Sequence, residues 1–195
     1  MTMWYLIRSL GFVSLIALTA STVLGALATS GDRRIASIDA RVFRQILHRS
    51  LGVLGLVVLV GHIALAVVDS YVPLGVAGAL VPFASGYRPL PIALGVLGVY
   101  ALIVTAVSGA VRRQVSASPG AIRFWRGVHV AAYGGWVLSM AHGIFSGTDT
   151  RVWWAIATYV GCGLAVGAAV VVRLCVPARR TRDVSGHLRL TGALR

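Results

Sequence analysis

Five long apolar runs alternate with short polar or arginine-rich joins along the chain. They cover residues 4–28, 43–68, 91–111, 124–145 and 152–175. Each reaches the roughly 20 residues that an α-helix needs to cross a hydrocarbon core about 30 Å thick. Pro89 and Pro91 open the third run, where a first helical turn tolerates proline, and Pro177 stops the fifth. Trp153 and Trp154 stand where an interfacial aromatic pair belongs. Between runs two and three, YVPLGVAGALVPFASGYRPLP is apolar but too short and too Gly/Pro-broken to span. The pattern therefore predicts an all-α polytopic bundle of five transmembrane helices over residues 1–176. A re-entrant or interfacial segment is expected at 72–86, and a basic tail at 177–195.

Composition agrees with the pattern. Hydrophobic residues make up 57% and charged residues 12%, with mean hydropathy +0.85, whereas soluble domains carry about 25% charged residues. The net charge of +13 raises nucleic acid as a partner, but its distribution argues for a membrane instead. All eighteen basic residues are arginine and all five acids aspartate, as in the biased usage of a GC-rich bacterial genome. Fifteen arginines fall on one side: Arg33, Arg34, Arg41, Arg44 and Arg49, then Arg112, Arg113, Arg123 and Arg126, then Arg173 and the five of the tail. Arg8, Arg88 and Arg151 fall on the other. The positive-inside rule then sets the N-terminus outside and the C-terminus inside, in a multi-pass protein of the cell membrane. GALATS at the end of run one contains an A-x-A-like site. The single arginine before it and the basic segment after it favour a retained helix over a cleaved signal. The tail needs only anionic lipid as its partner. Cys162 and Cys175 are read as small buried hydrophobes, with no zinc-type spacing.

The histidines carry the chemistry. His48 and His62 lie fourteen residues apart in run two, and His129 and His142 thirteen apart in run four. Each pair is separated by roughly 20 Å along a helix, which sets one histidine near each membrane face. Ionisable groups within spans are costly and mark functional sites. Spans two and four, packed antiparallel, are expected to set His48 level with His129 at the inner side and His62 level with His142 at the outer side. Two imidazoles facing across a bundle at one depth can serve as axial ligands of a haem iron, so two levels imply two b-type haems. Without a C-x-x-C-H motif the attachment is not covalent. Gly52, Gly55, Gly61, Gly127, Gly134, Gly135 and Gly143 flank the pairs and would admit a flat macrocycle, although small residues also let membrane helices pack closely. Thirteen residues leave the second pair about 140° apart on a straight helix, against about 40° for fourteen. Either Gly134–Gly135 loosens the helix or the two groups lie on different sides of span four.

Haem propionates call for cationic or hydrogen-bonding partners. Arg49, Arg112, Arg113, Arg123, Arg126 and Ser108 are the inner candidates; topology alone also accounts for the arginines. Arg88 is the main outer candidate beside Arg151, because the positive-inside bias works against it. Asp149 can orient an outer group or cap the fifth helix, and capping is the favoured role. His187, in the tail, is a solvated bystander.

The stretch HRSLGVLG followed by Gly61-His62 resembles the haem-binding helix of the ferric reductase-like transmembrane family, on Arg49, Leu51, Gly52 and His62. That family includes the NADPH oxidase membrane domain and the haem-binding membrane subunit of the periplasmic methionine sulfoxide reductase. The stretch WRGVHVAAY resembles the W-x-x-L-H-x-x-x-Y motif of that subunit on Trp125, His129 and Tyr133. PFASGYRPL (82–90) and HGIFSGTD (142–149) resemble actinobacterial members, and the likeness covers roughly residues 43–150. In the sulfoxide reductase subunit an arginine stands where this chain has His48. The resemblance implies a dihaem b-type electron-transfer subunit of an oxidoreductase, moving electrons from the cytoplasm to the exterior. The family core usually has six spans where five are counted here. The chain also lacks a G-x-G-x-x-G that follows a strand, so the electron donor is separate: a quinol, or a flavoprotein carrying FMN or FAD at the cytoplasmic face. The acceptor is extracytoplasmic: a flavin or molybdenum protein, ferric iron or oxygen. Two other readings compete, a quinol-dependent protein of the cytochrome b561 class and a non-redox scaffold whose histidines bond helix to helix.

Overall fold

The computed structural model describes residues 2–28, 38–70, 72–115 and 118–175, without the side chains of Arg113 and Val115. Among them every regular element is helical: α1 (Thr2–Leu27), α2 (Ile38–Val68), α3 (Gly75–Leu80), α4 (Pro89–Ala110), α5 (Arg112–Val115), α6 (Pro119–His129), α7 (Ala131–Ser146) and α8 (Trp153–Cys175). α1, α2, α4 and α8 are long and apolar enough to cross a membrane. The expected fourth span is built from two shorter helices, α6 and α7, of 11 and 16 residues. The segment expected at 72–86 forms the six-residue α3. The tail from residue 177, with His187, and the basic residues Arg33 and Arg34 lie outside the described residues.

Two helix pairs make the frame. α1 packs along α2, and α4 packs along α7, while α8 lies against α1. Close approach at each seam comes from small residues, which remove side-chain bulk where two backbones must meet. On the first seam Gly55 sits under Leu18, and the Ser14 hydroxyl donates to the Gly55 carbonyl at 3.0 Å. On the second, Gly98 and Gly135 each face the other's backbone oxygen, and a Cβ at Gly135 would come 3.1 Å from the Ala101 and Leu102 side chains. Leu15, Trp136, Cys162 and Val166 form the core between α1, α7 and α8. The buried Trp136 indole N–H donates to Thr19 Oγ1 at 2.8 Å, which satisfies the one polar group that so large a side chain brings inside. Cys162 is buried as expected, whereas Cys175 is exposed at the end of α8. Val53, Leu54, Val57 and Val60 on α2 are exposed and apolar, the character of a surface turned to lipid.

α2 and α7 share no extended packing, although both carry histidines. They stand on either side of a cleft, each backed by its own partner helix.

Gly135→Ala is expected to destabilise the chain by about 1–3 kcal/mol through overpacking at the α4–α7 seam. Gly161→Ala, where a Cβ meets nothing within 4 Å, leaves stability unchanged or slightly raised. Thermal unfolding in detergent compares the two; equal effects would contradict a tight seam at Gly135.

Candidate functional site

The four histidines meet in two pairs across that cleft. The His48 and His129 rings lie with centroids 6.4 Å apart and planes at 71°. The His62 and His142 rings also lie 6.4 Å apart, with planes at 80°. The levels therefore pair as expected, but the course of the helices does not. First histidine faces first and second faces second, so α2 and the α6–α7 segment run parallel, not antiparallel.

The thirteen-residue spacing is resolved at Val130. α6 ends at His129 and α7 begins at Ala131, with the Tyr133 N–H turning back to the Val130 carbonyl at 3.0 Å. This interruption redirects the chain so that both imidazoles reach the same cleft. Gly134 and Gly135, the expected point of loosening, lie inside the regular helix α7.

Each imidazole is tied through Nδ1 to an acceptor on the neighbouring helix. His62 Nδ1 is 2.8 Å from the Ile7 carbonyl, His48 Nδ1 2.8 Å from the Ser21 carbonyl, and His142 Nδ1 2.8 Å from the Pro91 carbonyl. A carbonyl only accepts, so Nδ1 carries the proton in all three. His129 Nδ1 lies 3.0 Å from Ser108 Oγ, whose own hydrogen goes to the Thr105 carbonyl at 2.7 Å. That hydroxyl can therefore only accept from the ring, and His129 takes the same tautomer. In all four residues Nε2 is the nitrogen left with a lone pair. Ser146 Oγ stands 3.5 Å from His142 Nε2, yet it donates to the His142 carbonyl at 2.5 Å, so it leaves that lone pair uncommitted.

The His48–His129 level, expected to be the inner one, has an aromatic and cationic backing. Trp125 stacks on His129 at 5.0 Å with planes 20° apart, and its indole N–H donates to the Ser108 carbonyl at 2.8 Å. The Arg112 guanidinium lies 4.8 Å over the Trp125 ring. Arg173 donates to the Tyr133 hydroxyl at 2.9 Å, a contact that its position at the end of the last run did not suggest. Of the other inner candidates, Arg49 is exposed beside Ser50, Val53 and Val57, and Arg123 and Arg126 are exposed on α6. Arg113 has its backbone in α5, and its side chain is not described.

The other level, expected to be the outer one, opens on a cavity of about 250 Å³ bounded by His62, His142, Arg8, Tyr87, Tyr159 and their apolar neighbours. Arg88 does not bound it. Its guanidinium donates to the carbonyls of Phe145 and Ser146 at 3.1 and 3.3 Å, closing the C-terminus of α7, and its backbone adopts φ 42° at the start of α4. Arg8 is the cation of this chamber. It pairs with Asp149, donates to Thr148 and lies 4.3 Å over the Trp4 ring. Asp149 thus binds α1 through its side chain, rather than capping α8 as expected.

No family model, curated protein or solved structure matches the chain. The site must be judged on its own geometry. Among the described residues no group of three or more His, Cys, Asp or Glu gathers, which is what a bare metal ion held by protein alone would need. An imidazole nitrogen sits about 1.2 Å from its ring centroid and about 2.0 Å from a bound first-row metal, so two rings sharing one metal would have centroids up to about 6.4 Å apart. Both pairs match that value. His48 with His129, and His62 with His142, would each give a metal two nitrogens and leave its other positions to a macrocycle. The residues present therefore fit haem.

Arg8→Ala and Asp149→Ala are each expected to loosen the outer end. The side chains are 15% and 24% exposed, and a double-mutant cycle by chemical or thermal unfolding should return a coupling of about 0.5–3 kcal/mol. Strict additivity would show that the pair contributes nothing to joining α1 to the α7–α8 loop.

Proposed function

We propose that the chain is a dihaem b-type transmembrane electron-transfer subunit of the ferric reductase-like class. His48 and His129 would ligate an inner haem, and His62 and His142 an outer one. The observation that carries this reading is the pair of 6.4 Å ring separations at two depths, combined with a tautomer that leaves every Nε2 lone pair for a metal. When bound, each haem supplies a one-electron carrier, its iron alternating between ferric and ferrous. The chain's own work is to fix the ligating nitrogens, exclude water and supply charge near each level. Nδ1–H bonds to backbone carbonyls orient the rings and raise ligand basicity, the usual outer-shell arrangement of metal-bound histidine. Arg112 stands nearest the inner level through Trp125, and Arg8 bounds the outer one.

The five-span reading with the N-terminus outside counts α6 and α7 as one broken crossing, and sets the protein in a bacterial cell membrane. In that orientation His48 and His129 lie toward the cytoplasm, beside the arginines of α5 and α6. A quinol or a separate flavoprotein carrying FMN or FAD would deliver electrons there, and an extracytoplasmic acceptor would take them beyond His62 and His142. A purely structural scaffold is disfavoured by the same tautomers. Helix-to-helix bonding needs one nitrogen per ring, and it does not explain why the four rings face each other in pairs at two levels.

The purified chain is expected to show a b-type α-band in a dithionite-reduced minus oxidised spectrum, with about two haems per chain. Replacing His62 or His142 should remove the outer haem alone, and replacing His48 or His129 the inner one alone. A colourless protein that takes up no added haem would end this reading.

A further inference from the structure

Each imidazole rests on a glycine of the neighbouring helix, not of its own. A Cβ at Gly95 would come 2.7 Å from His142 Nδ1, one at Gly25 2.9 Å from His48 Cε1, one at Gly11 3.2 Å from His62 Cε1, and one at Gly109 3.7 Å from His129 Cε1. At all four positions the near atoms belong to the histidine ring. Gly98 and Gly135 differ, since they meet each other's backbone oxygens and the side chains of Ser139, Ala101 and Leu102, with no imidazole among them.

The four glycines keep one register with the acceptors. Gly11 follows Ile7 by four residues, Gly25 follows Ser21, Gly95 follows Pro91 and Gly109 follows Thr105. The first three of those carbonyls accept from His62, His48 and His142, and the fourth is bonded to the Ser108 hydroxyl that accepts from His129. In an α-helix the carbonyl of residue i already accepts from the N–H of residue i+4 and keeps a second lone pair. A side chain at i+4 leans back over the preceding turn and covers that lone pair. Glycine leaves it open to a ring arriving from the next helix. Fourteen residues separate the two glycines in α1 and again in α4, which returns them to nearly the same helix face.

We propose that α1 and α4 are two copies of one ring-holding helix, in which Gly11, Gly25, Gly95 and Gly109 are positioning residues that let each axial imidazole reach a backbone acceptor. They act through the histidines by setting the Nδ1–H tautomer and the rotation of each ring, and this rests on the haem assignment. The α1–α2 and α4–α7 pairs are then related by a two-fold axis along the membrane normal, the symmetry of a parallel repeat. At the fourth corner the Ser108 hydroxyl intervenes, and the clearance there is the widest.

The test is graded by clearance. In the full chain reconstituted with haem, Gly95→Ala should shift the outer midpoint potential and its low-spin ferric EPR signal, and leave the inner level in place. Gly25→Ala should do the reverse. Gly11→Ala should shift the outer level less, Gly109→Ala should be close to silent, and Gly161→Ala should change nothing. Should Gly95→Ala not fold, Gly11→Ala decides the same level. Potentials and EPR signals unmoved in Gly11→Ala, Gly25→Ala and Gly95→Ala, or moved equally at both levels, would overturn the proposal while leaving haem binding intact. ¹⁵N NMR of histidine-labelled protein before haem addition reads the ring tautomers directly. Nδ1–H rings at all four positions, disturbed at His142 by Gly95→Ala, support ring-holding even if no haem binds; Nε2–H rings would refute it.

Discussion

The structure depends on a bond between an imidazole N–H and a backbone oxygen of the adjacent helix. Repeated at three histidines and relayed through a hydroxyl at the fourth, it decides which ring nitrogen faces the cleft. Apolar surroundings make an unmatched imidazole expensive, so satisfying Nδ1 is what lets these side chains stay inside a lipid-embedded bundle at all. The cost is transferred to Nε2, whose lone pair has no committed donor among the described residues. A metal removes that cost, and this links the packing of the helices to the chemistry proposed for them.

Two helix pairs supply the frame for those bonds. Small residues bring α1 onto α2 and α4 onto α7, and α2 and α7 are then left facing each other without packing together. The break at Val130 is the adjustment that makes the second pair equivalent to the first. Without it His129 and His142 would point about 140° apart. With it, the two ring separations agree at 6.4 Å.

The ends of the bundle are built differently. On the side of His62 and His142, Arg8, Thr148 and Asp149 tie α1 to the α7–α8 loop, Arg88 closes α7, and the Tyr100 hydroxyl donates to the Leu80 carbonyl to pin α3. The inner end is held by a stack of Arg112, Trp125 and His129, with exposed Arg123, Phe124 and Arg126 beyond it. One end is thus joined by a half-buried ion pair, and the other presents exposed cations to its surroundings.

Hydropathy alone determined the helical class and the run lengths, because the need to satisfy backbone groups in lipid admits little else. It also located the four histidines and their matched depths, since rise per residue is a fixed property of a helix. Trp125 and Tyr133 were legible as members of a motif, though not the stacking of one on His129 or the bond of the other to Arg173. Fourteen-residue glycine spacing in α1 and α4 was present in the chain as a faint echo of His48 and His62, but nothing local distinguishes a glycine under a ring from one under a helix. The tertiary structure alone decided which carbonyls receive the rings, that the chain breaks at Val130 and not at Gly134–Gly135, that Arg8 and not Arg88 bounds the outer chamber, and that Asp149 pairs instead of capping. Those outcomes depend on which helix lies beside which. One-dimensional periodicity sets the face a residue occupies, and only packing sets what that face meets.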